Sequence, residues 1–251
     1  MKILLMDIET APHKVYAWGL WDQRIAINQI VEPGYTISWA AKWLGDDEMM
    51  YRGLNTHSPK QMIKGIHKLL EEADAVIHYY GSNFDIPTLN KEFLLHGLDR
   101  PSPYKQIDLI RTVRRQFKLA SNKLDYVLKF LGYEGKIQHK GMELWKGCMA
   151  MDPKSWKVME KYNKQDVSEL ENLYYHLLPW IDMHPNVAMY NEDPTPQCPK
   201  CGGKHLHKRG TARTNTYTYQ RLRCMDCGSW LRERFNNMEK AKKKALLVEA
   251  R

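Results

Sequence analysis

Residues 2–10, KILLMDIET, constrain this chain more than any other stretch. A run this apolar reads as a buried strand over residues 2–8, yet it runs into Asp7 and Glu9. Alternate side chains of a strand share a face, so the two carboxylates point the same way among apolar neighbours. Two acids side by side repel unless a proton or a cation sits between them. The plainer alternative is that the strand stops here and Glu9 caps a turn ahead of Pro12.

The pattern downstream is strands first, then helices and strands in alternation. YTISWAAKW (35–43) and MMYRGL (49–54) read as strands, and residues 59–72 as a helix with Ser58 as N-cap and Pro59 as its first residue. DAVIHYYG (74–81) is a buried strand, FDIPTLNKEFLLHG (84–97) a helix closed by Gly97, and KQIDLIR (105–111) a fifth strand. Residues 122–131 and 153–180 are helical, the second long and amphipathic. This order predicts an α/β domain with a mixed sheet. A polar, proline-bearing linker, NEDPTPQCPKCGG, ends it.

A chain of 251 residues, 43% hydrophobic and 27% charged, has room for one ordinary folded domain and a smaller one. No apolar run approaches the ~20 residues that span a bilayer. The N-terminus reads as a structural strand, so a reducing cytoplasm is expected, such as that of a bacterial or phage-infected cell. Charge is uneven. Residues 194–251 carry 14 Lys and Arg against 4 Asp and Glu, a net +10, while the rest carries 24 against 25. The basic excess predicts a module aimed at a polyanion, with a solubilising tail as the alternative.

Two further acids stand where folding alone does not ask for them. Asp85 follows the buried strand 74–81 as the chain turns into a helix, and Asp166 lies four residues after Tyr162 on one helix face. Strand ends of an open α/β sheet gather at one edge, where ligands bind. Taken singly, Asp85 could serve the helix dipole and Asp166 could be a solvated acid beside Lys164.

Together, DIET, YYGSNFDIP and YNKQD resemble the three motifs of the DEDD superfamily of DnaQ-like 3′→5′ exonucleases, over about residues 3–175. Asp7 and Glu9 match the first motif, Asp85 the second and Asp166 the third. Tyr162 stands where the Tyr branch, DEDDy, has its tyrosine. Tyr80 occupies the place of an asparagine in the second motif, a departure that bears on substrate preference. The resemblance implies an RNase H-like mixed five-stranded sheet flanked by helices. It also implies two Mg²⁺ or Mn²⁺ ions held by Asp7, Glu9, Asp85 and Asp166, which clamp the attacking and leaving oxygens of a phosphodiester. Asp7 would bridge both ions, Glu9 and Asp166 complete one site, and Asp85 act through water on the other. Tyr162, with an ordinary pKa near ~10, would orient the attacking water and not take its proton. Asp108 is read as structural, because that quartet is already complete.

Cys198-x2-Cys201 and Cys224-x2-Cys227, 22 residues apart, form a strong zinc signature, each pair followed by a glycine, Gly202 or Gly228. A reducing compartment argues against disulfides, and His205 and His207 are not needed as ligands. The segment resembles the zinc ribbons of transposases and transcription factors. Lys208, Arg209, Arg213, Tyr217, Tyr219, Arg221 and Arg223 suit phosphate contact and base stacking. Cys148 reads as an inert buried thiol, His78 and His139 as structural, and Trp18 and Trp21 as candidates for a single-strand channel.

The expected division is an exonuclease domain over 1–193, a small zinc ribbon with four cysteine ligands over 194–236 and a basic helical tail over 237–251. The expected activity is metal-dependent 3′→5′ hydrolysis of single-stranded DNA, in replication, proofreading or repair, beside a separate DNA polymerase or replication protein and without a membrane. A 3′→5′ exoribonuclease and a non-catalytic nucleic-acid-binding scaffold are the alternatives. One structural Zn²⁺ would accompany the two catalytic ions.

Overall fold

The computed structural model describes residues 1–133 and 141–248, so His139 and the last three residues of the tail lie outside the described residues. The apolar run forms β1 (Ile3–Thr10). After it come β2 (Lys14–Val15), β3 (Ile30–Glu32), β4 (Thr36–Trp43) and β5 (Met50–Gly53). Then follow α1 (Pro59–Glu72), β6 (Ala75–His78), α2 (Asp85–His96), β7 (Lys105–Asp108), α3 (Leu109–Gln116) and α4 (Leu124–Phe130). The helices α5 (Met142–Met149) and α6 (Pro153–Leu177) complete this part. Beyond them lie β8 (Leu206–Arg213), β9 (Thr218–Cys224), β10 (Trp230–Arg232) and α7 (Lys240–Ala245).

Five strands form one mixed sheet in the order β5-β4-β1-β6-β7. On one side of β1, β4 and β5 follow as an antiparallel meander. On the other, β6 and β7 run parallel to β1 and to each other. Parallel strands need crossover connections, and α1 and α2 supply them. Leu4, Leu5 and Met6 are wholly buried, as a strand in the middle of a covered sheet requires.

The two ladders of β1 have different lengths. Its pairing with β4 runs from Leu4 to Thr10, with a register shift between Glu9 and Thr10. Its pairing with β6 covers Ile3 to Leu5 alone. The carboxylate-bearing half of β1 therefore extends past the end of its parallel neighbour. The Ile8 N–H is met instead by Asp85, whose Oδ1 accepts it at 3.3 Å.

Leu4, Met6 and Ile8 pack with Met62, Ile63, Ile66 and Leu70 of α1 and with Leu89 and Phe93 of α2. A second cluster joins Ala11 and Ile37 to Leu144 and Cys148 of α5 and to Trp156, Met159 and Tyr162 of α6. Lys42 Nζ, 2.5 Å from Glu171 Oε2, ties β4 to α6. The N-cap of α1 is as expected: Ser58 Oγ accepts the Gln61 N–H at 3.4 Å, and Gln61 Oε1 accepts the Ser58 N–H at 3.1 Å. Gly97 closes α2 in the left-handed conformation, φ 64°.

Local pattern and structure part company at three places. The strand expected over 105–111 ends at Asp108, and α3 starts at Leu109. Leu109, Ile110 and Val113 then bury one helical face, and that period wins over the alternation of Ile107 and Leu109. α5 and the β2–β3 ribbon were not expected. The ribbon's connection exposes Tyr16, Trp18, Leu20 and Trp21.

The chain divides into two compact units, Lys2–Tyr174 and a second one that takes up Tyr175–Arg251. The second unit is built on a three-stranded antiparallel sheet in the order β10-β9-β8. Among the described residues, no helix is long and apolar enough to cross a membrane.

Replacing Leu4, which is fully enclosed, by alanine is expected to cost about 3 kcal/mol through lost transfer energy and a residual cavity. Urea unfolding should show a lower midpoint with an unchanged slope.

Candidate functional site

β1 presents Asp7 and Glu9 on one face, and α6 brings Asp166 to them. Each of the three offers a carboxylate oxygen, and these oxygens all lie within 4.8 Å of one another. Asp166 is buried, whereas Asp7 and Glu9 are half-buried, so the group is open on the β1 side. Three negative charges this close in a partly desolvated place repel strongly. Oxygen donors in this number suit a hard divalent cation, which would reverse the sign of the interaction.

Asn163 holds the trio's first member in place. Its Nδ2 donates to Asp7 Oδ2 at 2.7 Å and to the Asp7 carbonyl at 3.3 Å. Its Oδ1 accepts from Ser38 Oγ at 3.2 Å. The side chain is fully buried and lies three residues before Asp166, on the same helix face. Sequence reasoning passed over this residue, although it sits inside YNKQD.

Asp85 lies outside the 4.8 Å group. Its carboxylate is bound to the backbone of β1 between the two acids, at Ile8. Burial pushes its pKa up to about 6, against the opposing pull of His78 and the Ile8 N–H. Asp108 behaves differently. Burial would raise it too, but His78 and the N–H groups of Tyr80 and Ser82 hold it below the usual carboxylate range. Its Oδ1 accepts from Tyr80 N at 2.8 Å and its Oδ2 from Ser82 N at 3.3 Å, which pins the turn after β6.

Tyr162 lies one turn before Asp166, nearly buried, edge-on to Trp145 with ring centroids 6.3 Å apart. Tyr80 is half exposed at φ 67°, a left-handed conformation uncommon for an aromatic residue, and the Arg114 guanidinium lies 5.5 Å from its ring. Trp18 and Trp21 are exposed in the β2–β3 connection. The Cys148 thiol is enclosed and pushed up to about 11 by burial, which keeps it protonated.

The second unit gathers Cys198, Cys201, Cys224 and Cys227 into one group. Cys198 and Cys227 sulfurs are 3.6 Å apart, as are those of Cys201 and Cys224. A tetrahedron of sulfurs at ~2.3 Å from zinc has edges of ~3.8 Å, whereas a disulfide needs ~2.05 Å. The thiols therefore fit a tetrahedral soft metal and not a pair of disulfides. The two knuckles repeat one turn: Gly202 N–H donates to the Cys198 carbonyl at 2.8 Å and Gly228 N–H to the Cys224 carbonyl at 3.0 Å. Both glycines have positive φ, 73° and 78°, which explains their place after each pair. His205 and His207 stack edge-on against each other, outside the thiol group. Lys208, Arg209 and Arg213 lie on β8 and Tyr219, Arg221 and Arg223 on β9, with Tyr217 just ahead of β9.

A family profile of the RNase H superfamily matches residues 4–178. The chain belongs to the RNase H superfamily. The five-stranded mixed sheet flanked by helices is the RNase H-like architecture, and the acidic group sits at the end of its middle strand. Among solved structures, the fold is similar to the family B DNA polymerase of the hyperthermophilic archaeon Pyrobaculum calidifontis, with a TM-score of 0.54 and 19% identity. That match covers 71% of this chain and 24% of the polymerase, so the chain spans about a quarter of that protein's length. At this identity the likeness is one of fold. No curated protein matches the chain. Membership of the superfamily, with its oxygen-donor group, supports a nuclease in general terms.

Asn163→Ala should leave the fold intact but remove the hydrogen bond that orients the Asp7 carboxylate. Affinity for Mn²⁺ by calorimetry is expected to fall about tenfold or more, the usual cost of losing a residue that orients a ligand. Asp85 gives a pH signature. A carboxyl whose folded pKa is raised contributes stability below its unfolded value near 4 and loses it as pH climbs through about 6. Without added divalent cations, Asp85→Asn should therefore gain melting temperature relative to wild type between pH 4 and 6.5, and a flat difference would refute the shift.

Proposed function

We propose that this chain is a metal-dependent 3′→5′ exonuclease of the DEDDy type, acting on single-stranded DNA. The observation that carries the proposal is the convergence of Asp7, Glu9 and Asp166 within 4.8 Å at the open end of β1. Asp7, Glu9 and Asp166, with Asp85 behind them, would hold two Mg²⁺ or Mn²⁺ ions. Bound there, the ions supply charge neutralisation at the phosphate and a more acidic water.

The chain's own groups supply positioning. Asn163 fixes Asp7 through two hydrogen bonds, one to its carboxylate and one to its backbone carbonyl, so the carboxylate is oriented in advance. Asp85 braces the β1 backbone at Ile8, between the two acids whose spacing matters most. Tyr162, held by Trp145 and the α5–α6 cluster, orients the attacking water by a hydrogen bond. The water oxygen attacks phosphorus and the bond to the 3′ oxygen breaks. A nucleoside 5′-monophosphate leaves, and the shortened strand keeps a 3′-hydroxyl.

We assign this activity to residues 1–193, a structural Zn²⁺ in a ribbon to 194–236, and a basic tail to 237–251. The ribbon, through Lys208, Arg209, Arg213, Tyr217, Tyr219, Arg221 and Arg223, would bind the strand. A role in replication, proofreading or repair beside a separate DNA polymerase belongs to the same proposal.

The test is degradation of a 5′-labelled single strand in Mn²⁺ or Mg²⁺, with DNA and RNA of one sequence side by side. DNA should shorten from its 3′ end. Asp7→Ala should slow this about a thousandfold, the equivalent of several kcal/mol of transition-state stabilisation. Undiminished activity in Asp7→Ala would sink the proposal, and faster loss of the RNA strand would reassign the substrate. Thiol modification should release one zinc per chain, and Cys224→Ser should lower zinc content and unfold the second unit at a lower temperature.

A further inference from the structure

The strand register of the second unit sorts its side chains in a way the sequence pattern did not reveal. Trp230 pairs with Arg223, Leu231 with Leu222 and Arg232 with Arg221. On the other edge His207 pairs with Arg223, Lys208 with Leu222 and Ala212 with Tyr219. Paired residues share a face, and alternate residues share it along each strand. One face therefore carries His207, Ala212, Tyr219, Arg221, Arg223, Trp230 and Arg232, and the other carries Lys208, Leu222 and Leu231. None of these residues on the first face is acidic.

This arrangement carries a local cost in stability. Arg221 and Arg232 are direct cross-strand partners, and like charges placed opposite each other destabilise a sheet. Their polar partners are backbone carbonyls: Arg221 Nε donates to Arg209 at 2.8 Å and Arg232 Nη1 to Glu233 at 3.3 Å. The guanidinium groups also lie against rings. Arg221 and Arg223 are 5.0 Å and 5.6 Å from the Trp230 ring, and Arg232 is 4.0 Å from that of Tyr219. Trp230 nevertheless remains 56% exposed, so its indole is not a core residue.

We propose that this face is a binding site for single-stranded nucleic acid, with Trp230 as the base platform and Arg221, Arg223 and Arg232 as phosphate contacts. The proposal rests on the nuclease reading for its ligand class, and it places that ligand on a particular surface with a central residue outside the expected set. An exposed ring beside fixed guanidinium groups matches a polymer that offers unstacked bases and phosphates together. A duplex keeps its bases stacked inside and would engage the arginines alone. An acidic peptide would do the same and leave the indole without a role.

The test uses full-length protein carrying Asp7→Asn, which permits binding without turnover, and fluorescent single strands of thymidylate and uridylate with a duplex of equal length. Trp230→Ala should weaken both single strands about tenfold, and Trp230→Phe should restore most of that loss. Arg221→Gln with Arg223→Gln should flatten the slope of log affinity against log salt by about 1.4, two phosphates' worth for a single strand. Unchanged zinc content certifies that each variant is folded. Single-strand affinity within twofold of wild type in zinc-loaded Trp230→Ala overturns the proposal, as does equal dependence of duplex or polyglutamate binding on Trp230. A wild-type enzyme that cleaves while Trp230→Ala binds normally defeats this inference alone. A chain that binds through Trp230 but does not cleave defeats the exonuclease reading alone.

Discussion

The mutual repulsion of the carboxylates at the end of β1 is the constraint around which the first unit is arranged. Nothing in a buried strand asks for Asp7 and Glu9, and the fold adds Asp166 to them from α6. The unfavourable term is tolerated because it sits on the best-supported element of the molecule. β1 is the middle strand of five, hydrogen-bonded on both sides, with Leu4, Leu5 and Met6 fully enclosed. Burial of several such side chains contributes ~1.5–3 kcal/mol each, enough to hold a local strain of this size in place. A site built on a rigid strand and a helix of 25 residues keeps its geometry better than one built on loops.

The short parallel ladder between β1 and β6 turns that strained strand end into an accessible site. Had β6 continued alongside β1 past Leu5, its backbone would have occupied the edge where Asp85 now meets Ile8. The chain instead breaks into the turn pinned by Asp108, which returns it as α2 with Asp85 at its first residue. One buried acid thus sets the position of another. His78 faces both of them from β6, lowering each carboxyl's pKa, while burial raises both.

The second unit follows a different economy. Two of its three strands are seven or eight residues long and the third is three, and its four thiols gather at the two knuckles. On one sheet face, like-charged arginines stand opposite each other around an exposed tryptophan.

Much of this was legible in the chain itself. The five sheet strands and the main helices follow from local period, and Ser58, Pro59 and Gly97 mark their ends by short-range hydrogen bonding and φ preference. The end of β7 was misread, because the alternation of Ile107 and Leu109 runs on into residues whose helical face, Leu109, Ile110 and Val113, is buried. Asn163 was not legible, since its role is a contact with Asp7 across 156 residues. Residue type and spacing specify which donors exist: the acids at their strand and helix positions, and the thiols in pairs whose spacing suits a tight turn closed by glycine. Which of them meet is set by the packing of distant segments. Asp7, Glu9 and Asp166 converge while Asp85 is held one step back, and Trp230 joins the arginines, because strand register and helix docking are set by long-range packing that no local pattern encodes.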